Sequence, residues 1–284
     1  MAVVVDSAAS LPATPRTDVL GHKGPIVVPM AVILGGRTYR DGVDLSASEL
    51  YERLAAGSGT PTTSAPAPEA YAEAFLAASR VADAALCITV SRTFSAALDS
   101  ATLAAARLHE EMPGFPVSVL DSGSAAGGEG LIVLAAQESA ASGADLAGVV
   151  AAANSAASQV RLVAYVDTLY YLWKGGRVPG IVHEMTSLLK LKPVFEMAEG
   201  RVNRKLPSRT SRRARRRLVD MVGRGAGGPV RACVMHAAAA TEAAELEAAL
   251  RDAVDCEDVY VAEFSPVMGA HTGPGMLGIA YLPV

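Results

Sequence analysis

A chain of 284 residues is long enough for one large α/β domain or two smaller ones. Hydrophobic residues make up 51% of it, much of that alanine, and aromatics only 5%, which excludes a disordered chain and suits Ala-rich helices on Val/Ile/Leu strands. The net charge is −4, and no apolar run approaches the roughly 18 residues that a membrane-spanning helix needs.

The opening run Met1-Ala-Val-Val-Val reads as a strand that ends at Asp6-Ser7. It meets its first acid too early for a signal peptide, so a soluble cytoplasmic protein is expected. Val27 to Leu34 reads as a second strand, interrupted by Pro29 and followed by a turn at Gly35-Gly36. Ser46-Ala-Ser-Glu49 has the capping-box pattern and opens a helix through about Ala56. A loop rich in Gly, Thr, Ser and Pro runs from Gly57 to Pro68, and a helix from Pro68 to about Ala82. Ala84 to Val90 is an apolar strand of buried type, followed after Ser95 by a long Ala-rich helix. Pro116 to Leu120 is the next strand, ending at Asp121-Ser122-Gly123, with helices near 128–141 and 145–159.

Strands alternating with helices in this way predict a doubly wound, mainly parallel sheet. In such sheets ligands bind beyond the carboxyl ends of the strands. The Ser-bearing junctions Asp6-Ser7, Ser91 to Ser95 and Asp121-Ser122 fall there.

The second half has another rhythm. Leu162 to Val166 is a strand, and a short helix ends at Lys174-Gly175-Gly176-Arg177. Lys192 to Met197 and Arg201 to Leu206 form a hairpin around Glu199-Gly200, and a basic helix spans about Ser208 to Val222. Strands at Arg231 to His236, Val259 to Phe264 and Met276 to Leu282 enclose a helix near 241–253. This order predicts a mixed sheet in a second α/β domain, with domains at 1–158 and 159–284. Cys87, Cys233 and Cys256 are odd in number and widely spaced, and the five histidines form no ligand pattern, so neither a disulfide framework nor a metal site is expected.

Several separated signatures follow one another. They are Asp6-Ser-Ala-Ala-Ser-Leu-Pro12, Tyr39-Arg-Asp-Gly42, Pro61-Thr-Thr-Ser64 and Ser91-x-x-Phe-Ser95. Then come Asp121-Ser122, Leu169-x-x-Leu-x-x-Gly-Gly-Arg177, Leu189-x-Leu-Lys-Pro193 and Gly269-x-His-x-Gly-Pro-Gly275. In this order the chain resembles the DegV family, the fatty-acid-binding subunits of bacterial fatty acid kinases. The resemblance implies two α/β domains with one long-chain fatty acid between them and no cofactor besides that ligand. It implies a carboxylate held by Thr63, Ser64, Ser95 and His271, with Thr62 as a further candidate. It also implies a separate kinase subunit that phosphorylates the carboxylate, and an acyltransferase of phospholipid synthesis that takes the product. Ala96-Ala97 and Ala65 stand where the family usually has Gly-Thr and glutamine, which removes one possible donor.

The residue chemistry suits such a role. A carboxylate taken out of water must receive several hydrogen bonds or lose its charge. The hydroxyls of Thr63, Ser64 and Ser95 and the ring of His271 are donors, and a cradle without lysine or arginine leaves the carboxylate nucleophilic. Arg177 and Arg209 are expected on partner-binding surfaces. Residues 201–217 hold nine Lys/Arg and no acid. This run suits acidic partners or transient contact with a membrane surface better than nucleic acid, since no aromatics interleave for base stacking. Two rival readings are a Ser/His lipid esterase using Ser95 and His271 and a DNA-binding regulator using residues 204–217. Ser95 lacks the flanking glycines of a nucleophile elbow, and the chain has no phosphate loop, so a non-enzymatic carrier is the expectation.

Overall fold

The computed structural model describes residues 1–13, 24–177 and 191–284. Leu189 of the Leu-x-Leu-Lys-Pro signature lies outside the described residues.

The first half begins with β1 (Ala2–Asp6) and β2 (Ile26–Val28). The apolar run Val27 to Leu34 is two strands, because Pro29 cannot donate to a ladder and breaks it. After the break, β3 (Ala31–Leu34) and β4 (Arg37–Arg40) form a hairpin. Gly35 and Gly36, at φ 59° and 76°, supply the doubly left-handed two-residue turn that such a hairpin requires. Helix α1 (Ala47–Ala55) starts with both bonds of the capping box, Ser46 accepting from the Glu49 amide and Glu49 accepting from the Ser46 amide. Then follow β5 (Thr62–Ser64), α2 (Pro68–Ser79), β6 (Ala85–Thr89), α3 (Ala97–Glu111), β7 (Val117–Asp121), α4 (Ala126–Ala141) and α5 (Leu146–Gln159).

The strands sort into two sheets. One is fully parallel, ordered β2-β1-β6-β7. The other is a small antiparallel sheet, β4-β3-β5, in which Thr63 lies opposite Val32. Thr62 to Ser64, read as loop from the sequence, is therefore a strand.

The second half supplies β8 (Arg161–Tyr165), α6 (Tyr170–Gly175), β9 (Lys192–Ala198), β10 (Arg201–Ser208) and α7 (Ser211–Ala226). After these come β11 (Val230–His236), α8 (Ala240–Ala253), β12 (Cys256–Glu263), α9 (Pro266–Thr272) and β13 (Leu277–Pro283). They form a mixed six-stranded sheet, β10-β9-β8-β13-β11-β12, in which only β11 and β12 run parallel. The architecture is α/β, with one parallel and one mixed sheet.

Helices α7 and α8 cover one face of the mixed sheet, burying Leu218, Val222, Leu246 and Leu250 against Val163, Val234 and Ile279. Helix α4 lies between the two larger sheets and is buried almost all round, so it shows no amphipathic stripe. Its glycines permit this position. A Cβ at Gly127 would stand 2.8 Å from Cys233 Sγ, and one at Gly130 would overlap the Ser10 carbonyl. No described helix is long and apolar enough to cross a membrane.

Candidate functional site

Strand β5 alternates its side chains, so Thr62 and Ser64 are exposed while Thr63 turns inward and is half-buried. His271 stands in the last turn of α9, a helix with Pro266 at its first position. Thr63 Oγ1 and His271 Nε2 are 2.7 Å apart, joining β5 to α9 across 208 positions of the chain.

The ring of His271 lies against the end of α6, where a Cβ on Gly175 would overlap Nδ1. Nδ1 is buried and has no hydrogen-bond partner among the described residues. Burial, and then the charge of Arg177, push the imidazole pKa down to about 4. At neutral pH the ring is neutral and carries one proton. We assign that proton to Nε2, because Nδ1 abuts Gly175 and an N–H there would be buried without an acceptor. Nε2 then donates to Thr63 Oγ1, and the threonine hydroxyl keeps its own proton for a further acceptor.

Gly176, at φ 66°, ends α6 in the left-handed conformation and turns the chain into Arg177. Arg177 is half-buried. Its Nη1 donates to the Gly175 carbonyl at 2.7 Å and its Nε to the Phe94 carbonyl at 3.4 Å. The guanidinium thus ties the loop that bears Ser95 to the helix end that supports His271. Sequence reasoning assigned Arg177 to a partner surface and expected a cradle without a cation; the fold puts its charge beside His271. The two glycines before Arg177 were the available signal, since one makes room for the ring and the other turns the chain.

Ser95 is half-buried, and its Oγ accepts from the Ala97 amide at 3.2 Å, so its hydroxyl proton, which meets no acceptor among the described residues, is available to a ligand. Ser64 donates to the Ala65 carbonyl at 3.0 Å. The fold therefore brings Thr63, His271, Arg177 and the Phe94–Ser95 loop together, while Thr62 and Ser64 flank them on the exposed side of β5. Two tyrosines of α6 border the group. Tyr170 shares a hydrogen bond with Thr60 at 2.9 Å, and Tyr171 packs where Gly273 leaves room.

Arg209 is exposed in the turn from β10 into α7, whose N-cap is Thr210. In the basic run, Lys205 pairs with Glu196 at 2.6 Å and Arg215 with Glu245 at 2.9 Å. Arg212, Arg213 and Arg216 are exposed, and Leu206 on β10 is 73% exposed among them. Among the described residues, no three or more His, Cys, Asp or Glu are placed to hold a metal ion.

Comparison with known proteins adds a second line of observation. A family model described as an uncharacterised protein of the DegV family matches residues 1–284. A DegV domain-containing protein from Streptomyces coelicolor is 37% identical, over 98% of this chain and 97% of its own. A solved structure from Thermus thermophilus, described as fatty acid binding of a DegV family protein, superposes with a TM-score of 0.89 at 32% identity, covering 100% of this chain and 99% of that one. DegV from Bacillus subtilis, described as a fatty acid binding protein, superposes with a TM-score of 0.84 at 27% identity, covering 100% and 99%.

Proposed function

This chain belongs to the DegV family, and we propose that it is a cytoplasmic carrier that binds one long-chain fatty acid and presents its carboxylate to a separate kinase. The observation that carries the reading is the Thr63–His271 pair with Arg177 beside it. It supplies a donor hydroxyl, a neutral ring that orients that hydroxyl, and one cation.

A carboxylate entering such a group would receive the Thr63 and Ser95 hydroxyl protons and the field of Arg177, which together offset its desolvation. The acyl chain supplies affinity. At about 0.8 kcal/mol per buried methylene, some fifteen methylenes contribute roughly 12 kcal/mol before association costs. The chain thus dominates the affinity, with the polar group setting orientation. Thr62 and Ser64 are exposed on either side of Thr63, which supports a polar end accessible to a partner. The Thermus and Bacillus relatives, described as binding fatty acids, support the ligand class.

We divide the chain into domains at 1–158 and 159–284. Thr63 and Ser95 then come from the first domain, and Arg177 and His271 from the second, which supports a ligand held between them. The kinase would form the acyl phosphate, and an acyltransferase of phospholipid synthesis would consume it. The exposed arginines of α7, together with Arg209, suit those partners or transient contact with a membrane surface.

Against an esterase, Nε2 of His271 is bonded to Thr63 and not to Ser95, and among the described residues no carboxylate meets Nδ1 to orient the ring. Against DNA binding, part of the basic run is already paired with Glu196 and Glu245.

The test is direct. The purified protein is denatured, extracted with solvent, and the extract analysed by mass spectrometry. Near-stoichiometric fatty acid is expected. A protein that is empty and also fails to take up added palmitate or oleate overturns the reading.

A further inference from the structure

Two of the sequence signatures, Asp6-Ser7 and Tyr39-Arg-Asp-Gly42, lie apart from the group around His271, yet both lead to it. Asp41 is 2% exposed. Its Oδ2 accepts from the Ser7 hydroxyl at 2.6 Å, and its Oδ1 accepts from the Val267 amide at 3.0 Å. Ser7 Oγ accepts in turn from the Met30 amide at 3.0 Å, just ahead of the strand that pairs with Thr63. The Asp41 amide donates to the Met30 carbonyl at 2.8 Å.

Val267 lies in the first turn of α9, and His271 follows one helical turn later. That helix has only seven residues, too few to hold its own orientation. Its N-cap, Ser265, makes no side-chain capping bond. The capping carboxylate comes instead from Asp41, 226 positions away. The neighbouring Asp6 does the matching task for the other loop, accepting from the Val90 amide at 2.8 Å ahead of Ser91 to Ser95. Adjacent residues thus anchor the Ser95 loop and, through Asp41, the His271 helix.

We propose that Asp41 is a positioning residue for His271, a capping carboxylate supplied from outside the helix that fixes the rotation of α9 and so holds Nε2 on Thr63. The link to affinity rests on the fatty-acid reading above, since His271 matters to binding only if a carboxylate is held there. Tyr51, whose hydroxyl is buried against Gly269, and Asp6 also face this knot. Neither reaches the first turn of α9 by a hydrogen bond, whereas Asp41 does.

The experiment is a double-mutant cycle read alongside the His271 side-chain resonance. Asp41→Asn keeps the shape and removes the charge. Displacement of a fluorescent fatty acid is measured in the wild type, Asp41→Asn, His271→Ala and the double variant. Asp41→Asn is expected to weaken binding about tenfold when His271 is present and less than about twofold when it is alanine. In 15N-histidine-labelled protein without ligand, the Nε2 resonance of His271 is expected to move in Asp41→Asn as its bond to Thr63 loosens. Equal losses in both backgrounds, or an Nε2 resonance that does not move, overturn the proposal. Should Asp41→Asn fail to fold, Ser7→Ala replaces it, since it removes only the hydroxyl that seats the carboxylate and is expected to move the same resonance. If no form binds fatty acid, the carrier reading falls, and the resonance alone still decides whether Asp41 positions His271.

Discussion

Thr63 and His271 are 208 positions apart in the chain and 2.7 Å apart in the fold. Three elements must agree for that distance to hold: β5 paired on β3, α9 seated at its N-terminus on Asp41, and α6 ending in a glycine that lets the ring lie flat. A site assembled this way is sensitive to small steric changes and insensitive to most surface charge.

Thr63→Val conserves shape and removes the hydroxyl. His271 Nε2–H then has no acceptor, and a bound carboxylate loses one donor. A hydrogen bond to a charged group contributes about 1.5–3 kcal/mol, so losing that donor should lower fatty-acid affinity by about tenfold to a hundredfold. Unfolding midpoints should also fall, because the buried Nε2–H left unpaired costs about 1–3 kcal/mol with or without ligand. Fluorescent fatty-acid displacement together with thermal melts checks both halves, and unchanged affinity would remove Thr63 from the site.

The two glycines that end α6 make opposite predictions. A methyl at Gly175 has no space, since it would overlap His271 Nδ1, so Gly175→Ala should displace the ring and abolish tight binding. Gly176 faces open space but sits at φ 66°, where an L-residue costs about 1–2 kcal/mol. Gly176→Ala should therefore lower stability modestly and spare affinity. Denaturant midpoints and binding constants for the pair separate the two effects; matched losses of affinity would contradict the packing argument.

Much of this arrangement was legible in the sequence. The Ser46–Glu49 capping box forms both its bonds, the Ala84 to Val90 run holds the fully buried strand Ala85–Thr89, and the hairpin turns at Glu199-Gly200. The misses have physical causes. Val27 to Leu34 looks like one apolar strand, but Pro29 divides it between two sheets. Thr62 to Ser64 sits in a stretch rich in Gly and Pro, and its strand character comes only from pairing with β3. Helix α9 is too short, and contains Pro266 and Gly269, for any period to show. The position of Arg177 depends on how α6 meets the Phe94 carbonyl, a contact between segments 83 positions apart that no local pattern reports.

Stability should fall as pH rises from about 4.5 to 6.5. Burial pushes Asp6 and Asp41 up to about 6 from an ordinary 3.8, and raises Glu129 well above 4.5. Between those values the folded chain holds protons that the unfolded chain has released, so these groups stabilise at the acid end and lose that contribution through pH 6. His271 acts oppositely. Its pKa falls from 6.5 to about 4, so its contribution is full above pH 6.5 and lost as pH drops towards 4. Burial lowers the His236 pKa as well, with the same sign as His271. A tenfold change in a group's proton affinity corresponds to about 1.4 kcal/mol, and the three raised acids outweigh the two histidines. Urea titrations across this range should show the decline, and Glu129→Gln should flatten it while raising stability at pH 7. A rising curve would contradict the burial of these acids.

Arg177 and Arg209 should respond differently to loss of charge. Arg177 lies beside His271 and depresses its pKa, so Arg177→Gln should raise the imidazole pKa above about 4. The same change should weaken fatty-acid binding, because the remaining donors are neutral and a charge-assisted bond is roughly twice as strong as a neutral one. Arg209 is exposed ahead of α7 and contacts none of these groups in the described structure, so Arg209→Glu should leave both the imidazole titration and the affinity unchanged. Transfer to a kinase is expected to slow while loading stays normal. The imidazole titration by NMR, run beside a binding assay, gives both readouts. A rise in the His271 pKa without loss of affinity would mean that Arg177 tunes the ring but does not meet the ligand, and would return it to the partner surface.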